Sequence, residues 1–523
     1  MVLLITSTYQ SKSESRNAEQ RLCIKNNIEA GVDLVVNITE APDIYEEHEN
    51  YLYIQRENKP TFTELFGAAQ DFCPNVDDVK IICNSDIYFD APTIKLFRET
   101  DLEDTCLALS RHDKVDDCGC WERKVGTDSN DAWVYQGRLL VNANYSAGTA
   151  GCDNALNYKI ARAGFTLLNP SNNIRCYHIH SDPSASHLTS VAPKPYTFPK
   201  FCSYNSNKLT RIYFICMGVG GINSVMDKWA PEITYKYSEY DKEITAVGME
   251  RYNEDLLRNI SEYKPEIVFS QTHDVGKITM ETIKKVMAMG IQWCNWTGDM
   301  SCDGMPSYYY DLAETGCITA YSNLDYLSKI STRGLRAYFF NIFDEDGYAP
   351  QNIPDGAKEY DVTFIGTKYS HFPNDYFRNN IAKELSRVYG KRFGLFGDNW
   401  DTLPHRPVGR AESNDIYNNS KIGLNISQVE AERYTSDRLC HLLASGTFTL
   451  CQHFPKCEEL FTDGVHLRYF DTEGKCMELI EYYLKPENQE EKIRIAKAGM
   501  IRNKEVFGGE NMKRVFKRIN QFI

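Results

Sequence analysis

The stretch Val79-Lys-Ile-Ile-Cys-Asn-Ser-Asp-Ile-Tyr-Phe-Asp90 joins a short apolar run to a polar turn. An apolar run of this length, followed directly by turn-forming residues, predicts a buried strand that ends at a loop. Ligands of open α/β sheets bind beyond the carboxyl ends of the strands, so Asp86 stands where a metal ion or a phosphate would bind. Asn84 and Ser85 share this loop, and an ordinary Asx turn is the simpler alternative.

The same alternation of apolar runs and amphipathic stretches extends on both sides of this segment. Such alternation predicts β-α-β units, parallel sheets and an α/β fold class. A stretch rich in Pro and Ser interrupts the pattern before a second α/β series begins. We therefore predict a first domain at 1–190, a linker at 191–209, and two further α/β domains at 210–350 and 351–523.

Composition narrows the class of protein. The chain has 523 residues, more than one hydrophobic core usually organises, and its formal net charge is -14. This acidic balance argues against a surface built mainly to neutralise nucleic-acid phosphates. No stretch approaches the roughly 20 apolar residues that a membrane span needs. We expect a cytoplasmic protein without a membrane span, and its 17 scattered cysteines to be reduced thiols.

Further motifs follow the Asp86 loop in a fixed order. They are Asp131-Ala-Trp-Val-Tyr, Gly151-Cys-Asp-Asn154, Asn169-Pro170 and Cys176-Tyr-His-Ile-His180. With this order of motifs, residues 1–190 resemble metal-dependent glycosyltransferases of the single-Rossmann, GT-A-type fold. The resemblance implies a sugar-nucleotide site and a divalent cation, Mn²⁺ or Mg²⁺, that neutralises the departing diphosphate.

The resemblance also assigns roles to individual residues. Asp86 would bind the cation, and Asp153 would be the acceptor-side base or an orienting residue. A histidine, His180 or His178, would complete the metal site, and we favour His180. The two alternate in a strand-like run, so only one of them can face the site. Asn84 stands where the family has the first Asp of its Asp-x-Asp element.

Polar residues at the end of the first predicted strand are candidates for binding the nucleotide. Thr6, Thr8 and Tyr9 follow the apolar run that opens the chain, where base and ribose rest in this fold, and Asn84 and Ser85 would lie beside them. Turn chemistry is the alternative explanation for all of these residues.

The rest of the chain has its own set of motifs. They are Pro265-Glu-Ile-Val-Phe, Asn295-Trp-Thr-Gly-Asp299, Asp361-Val-Thr-Phe-Ile-Gly366, Gly394-Leu-Phe-Gly397, Arg433-Tyr-Thr-Ser-Asp-Arg438 and Ala444-Ser-Gly446. With these motifs, residues 210–523 resemble two-Rossmann, GT-B-type glycosyltransferases, closest to the spore-maturation group. The resemblance implies that the donor binds between two Rossmann domains and that this half needs no metal.

The best-matched segment of this half implies a nucleotide site. Arg433 would contact the phosphates, while Ser436 and Asp437 begin a helix, and Asp437 matches the family acid that binds the ribose hydroxyls. A helix N-terminus favours an anion, although capping alone would explain the same residues. Gly366 and Lys368, after another predicted strand, complete the expected donor site.

Two departures from the family patterns leave an alternative open. The second acid expected in the C-terminal half falls on Val429, with Glu430 or Glu432 as substitutes, and the first Asp of the N-terminal element is Asn84. One half would then be active, and the other would be a carbohydrate-binding or scaffolding module.

The acceptor side of the C-terminal half is expected on three loops. Gly220 lies in the glycine-containing turn Met217-Gly-Val-Gly-Gly-Ile-Asn223, which would bind the donor diphosphate or face the acceptor. His273 and Asp299 follow predicted strands where they would orient an acceptor hydroxyl, and ordinary loop capping is the alternative for both. A nicotinamide-dependent oxidoreductase is the alternative based on this turn, because closely spaced glycines let the backbone approach a dinucleotide.

The sequence thus predicts an enzyme that moves sugar from a nucleotide diphosphate sugar to an acceptor hydroxyl, with one transfer in each half. A UDP-sugar is the favoured donor, and a glycan or polysaccharide is the favoured acceptor. Hydroxymethylated bases of DNA are the alternative acceptor. The sequence assigns no oligomeric state.

Overall fold

The computed structural model describes residues 1–114, 121–123, 129–179, 190–216, 226–239, 244–271, 277–298, 304–321, 325, 337–339, 347–400 and 402–522. The strands within these ranges form four sheets, two in the N-terminal part and two in the C-terminal part. The predicted site residues His180, Gly220, His273 and Asp299 lie outside the described residues.

The N-terminal part alternates strands and helices. Its strands are β1 (Val2–Thr6), β2 (Leu34–Thr39), β3 (Tyr51–Gln55), β4 (Val79–Cys83), β5 (Ile87–Tyr88), β6 (Thr105–Leu109), β7 (His112–Lys114), β8 (Trp121–Arg123), β9 (Ala132–Tyr135), β10 (Thr166–Asn169), β11 (Tyr177–His178) and β12 (Lys200–Phe201). Its helices are α1 (Glu14–Glu29), α2 (Phe62–Phe72), α3 (Ala91–Glu99) and α4 (Cys152–Arg162).

The main N-terminal sheet has the order β12-β10-β6-β9-β4-β1-β2-β3. Strand β9 runs antiparallel to its neighbours β4 and β6, and the other described pairs are parallel. Every residue of β1 and β4 is buried, because α2 and α4 cover one face of the sheet while α1 and α3 cover the other. A smaller sheet, β5-β11-β7-β8, lies beyond the ends of these strands.

The segment predicted to be a linker contributes to the first sheet. Within 191–209, the strand β12 pairs in parallel with β10 and extends the sheet at its edge.

The C-terminal part contains two parallel sheets. Its strands are β13 (Arg211–Cys216), β14 (Thr234–Glu239), β15 (Ile267–Ser270), β16 (Gln292–Thr297), β17 (Ile318–Tyr321), β18 (Ala337–Phe339), β19 (Tyr360–Ile365), β20 (Phe393–Phe396), β21 (Ser420–Asn425), β22 (Thr449–Gln452) and β23 (Arg468–Phe470). Their orders are β14-β13-β15-β16-β17-β18 and β20-β19-β21-β22-β23.

Helices flank both of these sheets. They are α5 (Ala246–Tyr263), α6 (Met280–Ala288), α7 (Ser307–Glu314), α8 (Asp375–Tyr389), α9 (Arg410–Asn418), α10 (Asp437–Ala444), α11 (Glu473–Leu484), α12 (Gln489–Phe507) and α13 (Gly509–Gln521). Parallel strands joined through helices are Rossmann-like units, which confirms the predicted α/β class.

Helix α13 follows the sheet β20-β19-β21-β22-β23 in the chain but packs against the sheet β14-β13-β15-β16-β17-β18. Phe516 of α13 packs its ring 5.2 Å from that of Phe269 and 6.1 Å from that of Phe214, which belong to β15 and β13. Arg518 of the same helix is 1% exposed and lies 3.6 Å from Asp101 of the N-terminal part. The chain end therefore contacts both halves of the molecule.

Within the described ranges, no helix is both long enough and apolar enough to cross a membrane. The cytoplasmic location stays a prediction.

Candidate functional site

Asp86 lies in the loop after β4, as expected, and contacts two basic side chains. Its Oδ2 is 3.0 Å from Arg16 Nη2 of α1 and 3.3 Å from His178 Nε2 of β11. Arg16 Nη2 also donates to the hydroxyl of Tyr9 at 2.9 Å, and His178 Nδ1 is 2.6 Å from Asp113 Oδ1. The structure therefore brings the predicted residues Asp86, His178 and Tyr9 together.

These contacts set the charge of the imidazole. Burial lowers the pKa of His178, but the hydrogen bonds and charges of Asp86 and Asp113 outweigh burial and raise that pKa above its usual value. The imidazole is thus more readily protonated than a free histidine while Asp86 is ionised.

Asn84 faces Asp131, the residue that precedes β9. Cys83 pairs with Ala132 in antiparallel register, and the backbone N–H of Asn84 donates to the Asp131 carbonyl at 3.0 Å. Asn84 Nδ2 also donates to Asp131 Oδ1 at 3.1 Å. The loop after β4 and the start of β9 thus form one polar surface.

Asp131 is a buried carboxyl group. It is 3% exposed, and burial is the main reason that its pKa rises to about 6. Arg111, 3.5 Å from Oδ1, lowers that pKa, whereas the charges of Asp153 and Asp86 raise it. These three carboxylates therefore lie close enough to repel one another.

Asp153 stands in the first turn of α4. It accepts hydrogen bonds from Ser129 Oγ at 3.2 Å and from the backbone N–H of Asn130 at 3.3 Å. Burial nevertheless raises its pKa above the usual range. A carboxylate with a raised pKa is a better proton acceptor, which suits the predicted acceptor-side base.

Some buried polar atoms at this edge of the N-terminal sheet lack hydrogen-bond partners. Buried side-chain atoms without a hydrogen-bond partner in the structure include Ser7 Oγ, Asp131 Oδ2 and Asn154 Oδ1. Such atoms are rare in folded proteins, and binding of a polar ligand is one way to satisfy them. Thr8, by contrast, is satisfied, because its N–H and hydroxyl both donate to Asn37.

Carboxylates and basic groups face each other around Asp86. Asp113, Asp131 and Asp153 accompany it, while Arg16, Arg111 and the readily protonated His178 oppose them. Carboxylate oxygens are ligands that Mg²⁺ and Mn²⁺ prefer. Among the described residues, however, the donor atoms close enough together to hold a metal ion belong to His453, Cys457 and Glu458, so the carboxylates around Asp86 offer suitable ligand types without a closed ligand set.

In the C-terminal part, two loops pack against each other at the carboxyl ends of β19 and β20. A Cβ on Gly397, whose φ is +113°, would lie 2.6 Å from the Gly366 carbonyl oxygen. Trp400 Nε1 donates to that oxygen at 2.7 Å, and the Lys368 N–H donates to Asp398 at 3.0 Å. The loop that carries Gly366 and Lys368 is therefore tightly fixed.

Two arginines lie beneath this loop. Arg378 Nη2 donates to the Thr367 carbonyl at 3.0 Å, and Arg438 Nε donates to the Ile365 carbonyl. Each guanidinium lies 5.2 Å from the centre of the Phe364 ring. Burial, together with the charge of Arg438, lowers the pKa of Arg378 to about 9. Both guanidinium groups thus donate to backbone carbonyls, and the charge of Asp375 offsets part of the lowering of the Arg378 pKa.

The start of α10 adjoins these arginines. Ser436 is its N-cap residue, but the hydroxyl donates to Asn425 Oδ1 at 3.2 Å and does not cap the helix. Asp437 is exposed at the first helical position, and Arg438 Nη1 donates to the Ile426 carbonyl at 3.1 Å. The first turn of α10 thus presents backbone N–H groups that its N-cap side chain leaves uncapped.

Arg433 and the candidate substitute acids lie on either side of this turn. Arg433, with φ of +56°, contacts Asp104 at 3.5 Å and Glu459 at 3.6 Å. Glu430 accepts a hydrogen bond from Gln452, the last residue of β22, at 2.6 Å, whereas Glu432 pairs with Lys456 at 3.1 Å. Of the two acids, Glu430 is the one bonded to a strand end.

Sequence reasoning missed several residues of these sites as functional groups. They are Arg16, Arg111, Asp113, Arg378 and Arg438. Asp131 was part of a motif, but only the strand register shows its contact with Asn84.

Comparison with known proteins adds the following findings. A family model described as glycosyl transferase-like matches residues 378–514, which include α10 and both buried arginines. A sequence search of curated proteins finds no match.

Three solved structures are similar to this chain at low sequence identity. A glycosyltransferase from Rickettsia africae is 10% identical, with 60% of this chain and 99% of that chain covered and a TM-score of 0.43. Anabaena HepE, in complex with UDP and glucose, is 9% identical, with 59% and 98% covered and a TM-score of 0.43. An α-glucosyltransferase in complex with UDP and a DNA 13-mer containing an HMU base is 11% identical, with 60% and 99% covered and a TM-score of 0.45.

The GT-A-type and spore-maturation resemblances stay predictions. The family match over residues 378–514 supports the enzyme class that the sequence predicts, and the chain is a glycosyltransferase.

Proposed function

We propose that the chain transfers sugar from a UDP-sugar to an acceptor hydroxyl, and that each half has its own donor site. The N-terminal half would use Mn²⁺ or Mg²⁺, and the C-terminal half would work without a metal. The favoured acceptor is a glycan or polysaccharide.

The pair Arg378 and Arg438 is the observation that carries this proposal. Both side chains hold carbonyl groups of the Gly366 loop, so two positive charges lie directly beneath it. Like charges in this position repel each other unless an anion compensates them. A donor diphosphate on the loop, beside the uncapped N-terminus of α10, would supply that anion.

Donor contacts in the C-terminal half follow from this placement. Lys368 and Arg433 would neutralise the outer phosphate oxygens, and Ser436 would meet the same group. Asp437, exposed at the start of α10, would accept hydrogen bonds from the ribose hydroxyls. For Arg433 this requires that phosphate replace its present contacts with Asp104 and Glu459.

The N-terminal half offers a different chemistry. Asp86 would hold the divalent cation together with one histidine, His180 or the neutral form of His178, with Thr6, Thr8 and Tyr9 at the nucleotide side. When bound, the cation neutralises the charge that develops on the departing diphosphate. The unpartnered Asp131 Oδ2 supports a polar ligand at this edge of the sheet.

Asp153 would accept the proton in this half. As the acceptor oxygen forms its bond to the anomeric carbon, the bond from that carbon to the diphosphate oxygen breaks, and the hydroxyl proton passes to Asp153. Burial and the raised pKa suit this carboxylate to the task. Its hydrogen bonds with Ser129 and Asn130 fix its orientation.

The test is nucleotide release from a panel of nucleotide sugars, with and without Mn²⁺, by the full chain and two variants. Asp86→Ala should remove the metal-stimulated release, and Asp437→Ala should weaken the metal-independent release. If Asp86→Ala loses only the metal-stimulated release and Asp437→Ala loses only the metal-independent release, the chain has two donor sites. If one of the two variants loses all nucleotide release, only one half is active.

Matched controls lie away from both sites. Asp77 is exposed just before the amino end of β4, opposite to Asp86, and Glu481 is exposed on α11. Asp77→Ala and Glu481→Ala should leave both activities unchanged. If Asp86→Ala retains full metal-stimulated release while Asp437 is also replaced, the metal role of Asp86 is wrong.

A further inference from the structure

We propose that His453, Cys457 and Glu458 form a binding site for Zn²⁺, or for another divalent ion that accepts nitrogen and sulfur ligands. The site lies in the loop that follows β22, in the sheet β20-β19-β21-β22-β23. It is separate from the cation that the proposed function assigns to the N-terminal half, and it does not rest on that proposal.

The turn after β22 brings the three side chains together. His453 continues the edge of β22, because its N–H donates to the carbonyl of Phe470, the last residue of β23, at 2.8 Å. Lys456, with φ of +60°, lets the chain turn back, and a 3-10 turn over Cys457–Glu459 follows. The loop thus returns the second and third ligands to the side of His453.

The donor atoms of the three residues are close to one another. His453 Nε2 lies 2.8 Å from Glu458 Oε1, and one donor atom from each of the three side chains lies within 4.8 Å of the other two. A tetrahedral Zn²⁺ with nitrogen, oxygen and sulfur ligands needs distances between ligand atoms of roughly 3.3–3.6 Å. The side chains of His453 and Glu458 are exposed, so shifts of about 1 Å bring them into place without repacking the core.

The donor types select the kind of ion. Imidazole nitrogen and carboxylate oxygen bind many divalent ions, but a thiolate favours Zn²⁺ over Mg²⁺ and Mn²⁺. Three protein ligands leave a fourth tetrahedral position open to water or to another ligand. Because His453 and Glu458 are exposed while Cys457 is buried, the ion would enter from the solvent side.

The carboxylate and the thiol differ in how they become ligands. The hydrogen bond from His453 is the main cause that lowers the pKa of Glu458, so this carboxylate is ionised at neutral pH. Burial is the main cause that raises the pKa of Cys457 to about 11, and Glu458 raises it further. Binding of Zn²⁺ would therefore replace the thiol proton, which passes to solvent, and would use the neutral imidazole of His453.

An exposed ion pair beside a core thiol is the simpler explanation of these contacts. It accounts for His453 and Glu458, since such pairs are common on protein surfaces and contribute little to stability. It gives no role to the sulfur of Cys457, which lies within 4.8 Å of a donor atom of each. Coordination by the sulfur is thus the property that separates the two explanations.

The basic residues beside the cluster face other acids. Lys456 lies 3.1 Å from Glu432, and Arg433 lies 3.6 Å from Glu459. The Arg433 N–H also donates to the Pro455 carbonyl at 2.9 Å, so the loop that carries the ligands supports this arginine. A bound ion would order that support, and it takes no part in the transfer step itself.

The experiment titrates Co²⁺ into the full chain with its thiols reduced, because Co²⁺ bound to a thiolate absorbs in the near-ultraviolet and is displaced by Zn²⁺. Cys118 and Cys120, which stand close together in the sequence, are replaced by serine in every sample so that they do not contribute. We expect thiolate absorption that saturates with a single bound ion. Cys457→Ser should remove this absorption, while His453→Gln and Glu458→Gln should each weaken Co²⁺ binding at least about tenfold.

Matched controls stand on helix α11 of the same domain. Cys476 is buried there, and Glu481 is exposed. Cys476→Ser and Glu481→Gln should leave both the thiolate absorption and the Co²⁺ affinity unchanged.

Each outcome bears on the inference. Absence of thiolate absorption before any of the three ligands is replaced, or its persistence in Cys457→Ser, overturns the inference and leaves the proposed function in place. If Cys457→Ser lowers the Tm, His453→Gln decides, because this side chain is exposed and its replacement opens no cavity in the core. A loss of tenfold or more in that variant supports the site, and unchanged affinity contradicts it.

Discussion

Replacing Gly397 with alanine should disorder the donor loop of the C-terminal half, for two separable reasons. Gly397 has a φ of +113°, where an L-residue costs roughly 1–2 kcal/mol. The added methyl group would also lie 2.6 Å from the carbonyl carbon and oxygen of Gly366. Those atoms are backbone, so the loop must move, at a further cost of about 1–3 kcal/mol. We expect a total loss of about 3 kcal/mol in local stability.

Gly464 provides the matched control. It lies in the same domain with a φ of +72°, and nothing lies within 4 Å of the position that a Cβ would occupy. Gly464→Ala should therefore show the backbone cost alone, about 1–2 kcal/mol. Hydrogen–deuterium exchange measures the local free energy of opening, in peptides that cover β19 and β20 for Gly397→Ala and in peptides that cover β23 for Gly464→Ala.

The comparison tests steric packing of the two loops. Gly397→Ala should lose more local stability than Gly464→Ala and should bind UDP more weakly, because Gly366 and Lys368 shift with the loop. Equal losses in the two variants, with unchanged UDP binding, would refute the view that contact between these loops fixes the donor site.

Three further predictions concern other parts of the molecule. The pKa of Asp131 is raised to about 6 in the folded state, so the folded state binds this proton more tightly than the unfolded state does. Without divalent cations, the stability of the N-terminal half should therefore fall by about 3 kcal/mol as the pH rises from 4 through 6. Urea denaturation in the presence of a chelator should show this fall, and Asp131→Asn should abolish it. Phe516→Ala should open a cavity against β13 and β15 and destabilise their sheet by about 3–5 kcal/mol, measured by hydrogen exchange of these strands. Replacing the exposed Ile493 should have little effect on the same exchange. Arg438→Gln should weaken UDP binding at the C-terminal site at least about tenfold in calorimetry and leave metal-stimulated release by the N-terminal half intact; equal binding would remove Arg438 from the donor site.

The order of strands and helices, and the loop position of Asp86, follow from the sequence because both depend on local patterns. The apolar run 79–83 is β4, and Asp86 stands just beyond it. The contact between Asn84 and Asp131 does not follow, because it depends on which strand pairs with β4. That partner, β9, begins 49 residues after β4 ends and runs antiparallel, and a single strand pattern contains no register.

The buried arginines show a second limit of sequence reasoning. Arg378 and Arg438 stand on helices α8 and α10, where an arginine is usually a solvated side chain. They are held inward because Phe364 lies next to both guanidinium groups and the Gly366 loop presents its carbonyl oxygens to them. Only the packing of three separate elements creates this environment, so helical periodicity could not predict it.

The two halves are physically joined, and this affects how their activities can be separated. Arg518 is 1% exposed and lies 3.6 Å from Asp101 and 3.7 Å from Glu103, while Arg433 contacts Asp104. An isolated C-terminal half would leave the buried Arg518 without these carboxylates, and removing the partners of a buried charge is destabilising. Loss of activity in an isolated half would then report the broken contact and not the chemistry of that half. Single substitutions in the full chain, such as Asp86→Ala and Asp437→Ala, leave these ion pairs in place and are therefore the sound way to assign each transfer.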